Sequence, residues 1–282
     1  MIDVNTRIRQ AAIDLMARDH VNDVNRLDAI LGKRNSATLS NRVPPNPYVG
    51  NPSNLVPGDC AALIGINPRL DLDRDGFQEF EIKIPTTCQA NYARTKDGAA
   101  FDTWFEKLHN FYYSDAYYGR YFTKLGNHIG RSWFSSPQPG EPAHVNARRV
   151  LSQHVLKIDA VPYYSVSDVM SPEKVVDAME NDPAMMTHRR LMEALFEECR
   201  PRHLQVNGKG TAGKMIKAVF GEIGTFEVIG EGNSSIEAGW GAIGRHRLPI
   251  LIHGFTNSPY GPQSPEDFRA CVTNFQKWII DQ

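Results

Sequence analysis

The 282-residue sequence has only four cysteines, and they lie far apart at Cys60, Cys88, Cys199 and Cys271. No Cys-x-x-Cys pair occurs, so the spacing excludes a zinc ribbon and argues against a disulfide scaffold. No apolar run approaches the length that spans a membrane, and the N-terminus lacks the apolar stretch of a secretory signal. These absences predict a cytoplasmic protein with reduced thiols and no membrane partner.

An excess of charge of one sign is also missing. The chain has 31 basic and 32 acidic side chains, which give a net charge of −1. No global field therefore draws it onto nucleic acid or acidic lipid. The charges are nonetheless uneven, because acidic residues crowd 71–81 and basic residues crowd 200–217.

Short apolar runs alternate with segments of helical periodicity. Strands are predicted at 61–66, 154–160, 203–206 and 248–252. Helices are predicted at 3–19, 99–111, 117–130, 183–199, 212–220 and 265–280. This alternation predicts an α/β fold, a three-layer α/β/α sandwich with a central, mostly parallel four-stranded sheet. The glycine-rich segment 221–244 is interpreted as a hairpin or loop insertion.

The composition divides the chain near residue 59. Segment 34–59 is polar and rich in Pro, Asn and Ser, which is typical of extended surface chain. We therefore expect residues 1–59 to form a helix and an extended arm packed on a main domain of residues 60–282.

Two turn sequences follow predicted strands and are the most informative motifs. Gly65-Ile66-Asn67-Pro68 follows the first strand, and 253–259 (His-Gly-Phe-Thr-Asn-Ser-Pro) follows the fourth. The carboxyl ends of parallel strands meet at one edge, where open α/β sheets bind ligands. An Asn that orients water opposite a His that donates to an anion would suit hydrolysis. In the alternative interpretation, Asn67 only satisfies backbone groups of a turn.

Gly-Ile-Asn-Pro resembles the first motif of the mismatch-specific branch of the uracil-DNA glycosylase superfamily, and 253–259 resembles its second motif. The resemblance covers about 60–282. It implies a DNA-repair hydrolase of the glycosylase fold in which Asn67 positions the attacking water and His253 contacts the departing base. Asn67 and His253 are then expected across one cleft, with Tyr163 or Tyr164 near its wall.

The same resemblance implies further contacts. The substrate-binding residues would be Gly65, Pro68, Asp159, Tyr163, Asn257 and Ser258. Asp159 falls where several branches place a base-reading Asn, and a carboxylate can only accept hydrogen bonds. No cofactor or metal is implied, and the expected partner is DNA or a nucleotide. The alternative function is a non-catalytic or differently catalytic protein of the same fold that binds a nucleotide or nucleic acid.

Residues 208–214 satisfy Gly-x-x-x-x-Gly-Lys between a predicted strand and helix, as a phosphate-binding P-loop does. Met215 replaces the Ser or Thr that would bind Mg²⁺. Three interpretations remain: a P-loop-like phosphate binder, a turn in which Lys209 and Lys214 contact a nucleic-acid backbone, and a solvated glycine turn.

Two other segments carry weaker patterns. Asp71, Asp73 and Asp75 resemble the front half of a calcium loop, but Ile82 stands where the bidentate Glu is needed, which favours an exposed acidic loop. Segment 111–122 is dense in aromatic residues near basic ones, which suits either core packing or stacking on bases.

Overall fold

Six strands form one mixed sheet in the computed structural model, which describes residues 4–31, 39–74, 76–134, 140–165, 170–259 and 261–282. The strands are β1 (Ala61–Gly65), β2 (Val155–Asp159), β3 (Leu204–Asn207), β4 (Glu227–Ile229), β5 (Ile236–Ile243) and β6 (His246–His253). Their order across the sheet is β2-β1-β3-β6-β5-β4. The predicted α/β class is confirmed.

The four strands predicted from sequence are β2, β1, β3 and β6, and each is parallel to its neighbour in that order. The prediction of a four-stranded sheet was wrong, because segment 221–244 adds β4 and β5 as antiparallel strands. The hairpin interpretation of 221–244 is confirmed by the antiparallel pairing of β4 with β5, but the continuation of the main sheet into this hairpin through β6 was not predicted. Gly241 forms a bridge with Gly221, and a side chain at Gly241 would collide with the Phe220 carbonyl oxygen.

Ten α-helices surround the sheet in the described part of the chain. They are α1 (Val4–Met16), α2 (His20–Leu31), α3 (Ile84–Thr95), α4 (Asp102–His109), α5 (Gly119–Trp133), α6 (Ala143–His154), α7 (Pro172–Asn181), α8 (Pro183–Cys199), α9 (Thr211–Phe220) and α10 (Pro265–Ile280). None of these ten is both long enough and apolar enough to cross a membrane. The sequence patterns missed α2, α3, α6 and α7.

Strong caps explain why the starts of α8 and α10 were predicted correctly. The Asp182 carboxylate accepts from the backbone N–H groups of the first turn of α8, and Pro183 occupies the first helical position. Ser264 and Asp267 form a reciprocal capping box at α10, again with a Pro at the first position.

The two faces of the sheet have different coverings. Leu204 and Val206 of β3 point into a large apolar core shared with α1, α8 and α9. The opposite face of the sheet packs against α5, α6 and α10. Leu63 of β1 and Leu251 of β6 contribute to smaller apolar clusters on that face. Polar side chains of the strands lie on this second face.

The N-terminal helices are tied to the main body by a buried ionic network. Asp23 of α2 is 3% exposed and binds Arg18 and Arg26. Arg26 also binds Asp182 at 2.6 Å, and the Tyr163 hydroxyl donates to Asp23 at 3.2 Å. Residues 1–3 and 32–38 of the expected N-terminal arm lie outside the described residues.

We expect Asp182→Ala to lower the free energy of unfolding by about 3 kcal/mol, because it removes the α8 cap and one of the two carboxylates that bind the Arg26 guanidinium. Urea denaturation followed by circular dichroism measures this. The control is Glu79→Ala, which removes an exposed ion pair with Lys83 and should change stability by less than about 0.5 kcal/mol. Equal effects from both variants would contradict the role of the network.

Candidate active site

The turns after β1 and β2 run side by side at the carboxyl edge of the sheet. Gly65 pairs with Asp159 in the strand register. The pairing continues past the strands, since Ala160 N donates to Gly65 O at 3.0 Å and Val161 N donates to Ile66 O at 2.7 Å. The segment that contains Asn67 is therefore held against the segment that follows Asp159.

Asp159 leans over the end of β1. A side chain at Gly65 would collide with Asp159 Oδ1, so glycine is required for this placement. Lys157 lies two residues back on the same face of β2, and its Nζ donates to Asp159 Oδ1 at 2.5 Å and to Ile158 O at 3.0 Å. The Asp159 side chain is 13% exposed and the Lys157 side chain 7%. The pair is nearly buried but reaches the surface through the carboxylate.

Asn67 is half-buried in the turn after β1. Its Nδ2 donates to the carbonyl oxygens of Pro68 and Tyr163, both at 3.3 Å. Two carbonyl acceptors identify that end of the amide as the nitrogen. Asn67 Oδ1 has no protein partner among the described residues and is available as an acceptor.

His253 is fully buried at the end of β6. Its Nδ1 donates to Gly254 O at 2.8 Å, so Nε2 accepts from the Gln205 amide at 3.0 Å. Burial lowers the pKa of His253 to about 4, and the imidazole is neutral at pH 7. Neither ring nitrogen is free, so the predicted contact of His253 with a departing base would require the ring to leave one of these partners.

Three polar side chains that the sequence interpretation did not assign complete this edge. Asn207 is paired with His253 in the register, and its Oδ1 accepts from Thr256 N at 2.9 Å. Gln205 lies two residues before Asn207 on the same face of β3. Lys157 lies on the same face of the sheet in β2, which β1 separates from β3. A signal was present: in both β2 and β3, polar residues alternate with buried aliphatic ones, which marks a polar sheet face.

Helix α5 covers the segment after β6. Lys124 Nζ donates to Thr256 O at 2.5 Å, and the Tyr121 ring lies 6.2 Å from that of Phe255. Asn257 is exposed, and its amide donates to Arg120 O at 3.1 Å. Ser258 is half-buried in the same turn, where its N–H donates to Phe255 O.

Tyr163 and Tyr164 lie in the turn after β2, and neither ring is on an open surface. Both rings are buried. The Tyr163 hydroxyl donates to Asp23, and the Tyr164 hydroxyl donates to Glu81, a buried carboxyl whose pKa is raised by burial. These rings anchor the turn after β2 from behind, and Tyr163 reaches the site only through its carbonyl oxygen.

The glycine turn before α9 lacks the features of a P-loop. Met215 is fully buried, and no hydroxyl stands at its position. Lys209 Nζ donates to Ser235 Oγ at 2.7 Å, and burial lowers its pKa. Lys214 is exposed on the first turn of α9. Lys209 is thus engaged within the protein, whereas Lys214 faces solvent.

The acidic loop offers no assembled metal site within the described residues. Asp71 is half-buried and Asp73 is exposed, while Asp75 lies outside the described residues. No group of three or more His, Cys, Asp or Glu side chains in the described ranges is arranged to hold a metal ion.

The aromatic segment 111–122 divides between core and surface. Phe111, Tyr112 and Phe122 are buried, which confirms core packing for them. Tyr118 is 37% exposed, and its ring is parallel to that of Tyr121, with centroids 6.5 Å apart. Arg74 lies over the Tyr118 ring at 5.6 Å.

No protein-family model matches the chain, and no curated protein matches its sequence.

We expect Gly65→Ala to destabilise the protein by about 1–3 kcal/mol, because the new methyl group would displace the Asp159 carboxylate from Lys157. Chemical denaturation measures the change. Gly119→Ala is the control, since a side chain there would make only ordinary contacts at 3.5 Å. In a double-mutant cycle with Asp159→Ala, the two effects should be non-additive by about 1 kcal/mol or more. Additive effects would contradict the proposed clash.

The buried histidines predict acid sensitivity. Burial lowers the pKa of His128, His188, His203 and His253 to about 4. In the unfolded chain these histidines take up protons near pH 6.5, whereas in the folded protein they do so only near pH 4. Their contribution to the free energy of unfolding is therefore fully present above pH 6.5 and is lost as the pH falls towards 4.

Unfolding free energies measured from pH 7.5 to 4.5 should therefore decline with acid. His253→Gln should reduce the slope in this window by up to one proton. A slope that is the same in His253→Gln and the parent would show that His253 is not buried as a neutral group.

Proposed function

We propose that the chain is a divergent protein of the uracil-DNA glycosylase superfamily that binds a nucleobase at the carboxyl edge of β1 and β2 and hydrolyses an N-glycosidic bond there. One observation carries the proposal. Gly65, Asn67 and Asp159, which the sequence resemblance assigns to one site, lie on two paired segments at that edge.

The chemistry assigned to Asn67 follows from its hydrogen bonds. Its nitrogen is committed to two carbonyl groups, which directs Oδ1 away from them as an acceptor for water. Water held there would add its oxygen to the sugar carbon while the C–N bond breaks. The bonding electrons leave with the base, and the base takes up the proton that the water loses. Fixed positioning of this kind contributes to rate by holding reactants in a reactive geometry.

A second candidate is binding of a nucleotide or nucleic acid without hydrolysis. The state of His253 favours it, because both ring nitrogens are bonded within the protein and the imidazole is buried. A glycosylase needs stabilisation of the departing base, and no ring nitrogen of His253 is free to supply it. DNA is the expected macromolecular partner in both candidates.

We expect Asn67→Ala to reduce base release by about 100-fold or more, the scale for losing a positioned catalytic group. The assay measures abasic sites in single- and double-stranded oligonucleotides that contain uracil, hypoxanthine, xanthine or an oxidised guanine. Asn181→Ala, an exposed asparagine at the end of α7, is the control and should retain the parent rate.

An Asn67→Ala rate equal to the parent rate would remove Asn67 from the mechanism. Binding of these oligonucleotides without release of any base would favour the second candidate. If the parent protein neither binds nor cleaves any of them at low salt, the proposed function is wrong.

A further inference from the structure

Asp159 and Lys157 together present three hydrogen-bonding groups in a row. The carboxylate supplies two acceptors, Oδ2 and Oδ1, and the ammonium group bonded to Oδ1 supplies a donor. Only Oδ1 has a protein partner among the described residues. Lys157 uses two N–H groups, towards Asp159 and Ile158 O, so one of its three N–H donors has no protein partner in the same part of the chain.

The row is fixed from several sides. Glycine at position 65 lets the carboxylate lie over the end of β1, and the Lys157 bond sets its rotation. The backbone is also held, since His188 Nε2 donates to Asp159 O at 2.7 Å. A hydrogen-bonding edge that is rigid before binding discriminates between ligands more sharply than a mobile one.

An unpartnered hydroxyl lies near this row. Tyr112 is fully buried, and its hydroxyl has no hydrogen-bond partner among the described residues. Tyr112 packs in the same apolar cluster as Leu63 of β1, whose register partner on β2 is Lys157. Burial raises the pKa of Tyr112, and the charge of Asp159 contributes to the rise. Buried polar groups without partners are rare in native proteins and mark places where a ligand or water completes the bonding.

We propose that the site selects a guanine-type base through this acceptor–acceptor–donor row. This inference rests on the proposed function, because it names the base bound at the same edge. Guanine offers N2–H, N1–H and O6 along one edge, a donor–donor–acceptor row that matches Asp159 Oδ2, Oδ1 and Lys157 Nζ. Bonds to a carboxylate are charge-assisted and therefore strong.

Other bases match the row less well. Uracil has one N–H between two carbonyl oxygens, so one of its oxygens would face the carboxylate. Adenine offers one amino group beside a ring acceptor. Hypoxanthine keeps N1–H and O6 but lacks the 2-amino group. The row therefore predicts the order guanine, then hypoxanthine, then uracil and adenine.

Isothermal titration of the full chain with deoxyguanosine, deoxyinosine, deoxyuridine and deoxyadenosine tests the order. We expect deoxyguanosine to bind tightest and deoxyinosine about tenfold more weakly, since it lacks one bond to the carboxylate. Deoxyuridine binding as tightly as deoxyguanosine would overturn the inference and leave the proposed function standing. No binding by any nucleoside, together with no base release, would overturn both.

Asp159→Asn provides a test based on a ratio of two affinities, which misfolding alone would not change. An amide offers one acceptor and one donor, which suits the N3–H and O4 of uracil. The ratio of deoxyguanosine to deoxyuridine affinity should fall at least about tenfold in this variant. Asp97→Asn, an exposed Asp at the start of a 3₁₀ turn, should leave the ratio unchanged. An unchanged ratio in Asp159→Asn would also overturn the inference.

Discussion

The parallel pairing of β1 with β2 is the constraint on which the candidate site depends. Side chains at the same level of neighbouring strands are crowded, because the strands lie only about 4.8 Å apart. Asp159 can lean across that gap only because its partner in the register is Gly65. The same pairing continues into both turns and holds Asn67 beside the chain that follows Asp159.

The sheet face that carries the site is unusually polar for a buried surface. His203, just before β3, and Gln205 and Asn207 of β3 occupy alternate positions and are buried. Trp133 of α5 packs on His203, and Phe268 of α10 packs on His253 at the end of β6. Buried polar groups are costly unless they are hydrogen-bonded, and both ring nitrogens of His128 lack a protein partner in the described part of the chain. Proteins keep such departures from good packing mainly at functional sites.

The N-terminal helices support the site at a distance. Asp23 of α2 accepts from the Tyr163 hydroxyl, and the Tyr163 carbonyl accepts from Asn67. Arg18 and Arg26 hold Asp23, and Arg26 extends the network to the cap of α8. A segment that looks peripheral in the sequence therefore bears on the orientation of the candidate catalytic amide.

The sequence by itself determined the α/β class, the four parallel strands and the sharply capped helices α8 and α10. These follow from local signals: short apolar runs for the strands, and helical periodicity that begins at a proline for α8 and α10. It also determined that Asn67 follows one core strand and that Asp159 lies near the end of another. Helices α2, α3, α6 and α7 and the extension of the sheet by β4 and β5 were not predicted, because most helical stability and the choice of strand partners come from tertiary packing, which a local pattern does not record.

Only the tertiary structure decided which of the candidate side chains are available. His253 and Tyr163 carry reactive groups in sequence, but burial and hydrogen bonds to Gln205, Gly254 and Asp23 engage them within the protein. The Asp159–Lys157 pair and the unpartnered Tyr112 hydroxyl emerged only from register and packing. Accessibility and partner choice depend on residues distant in the chain, so no local pattern can specify them.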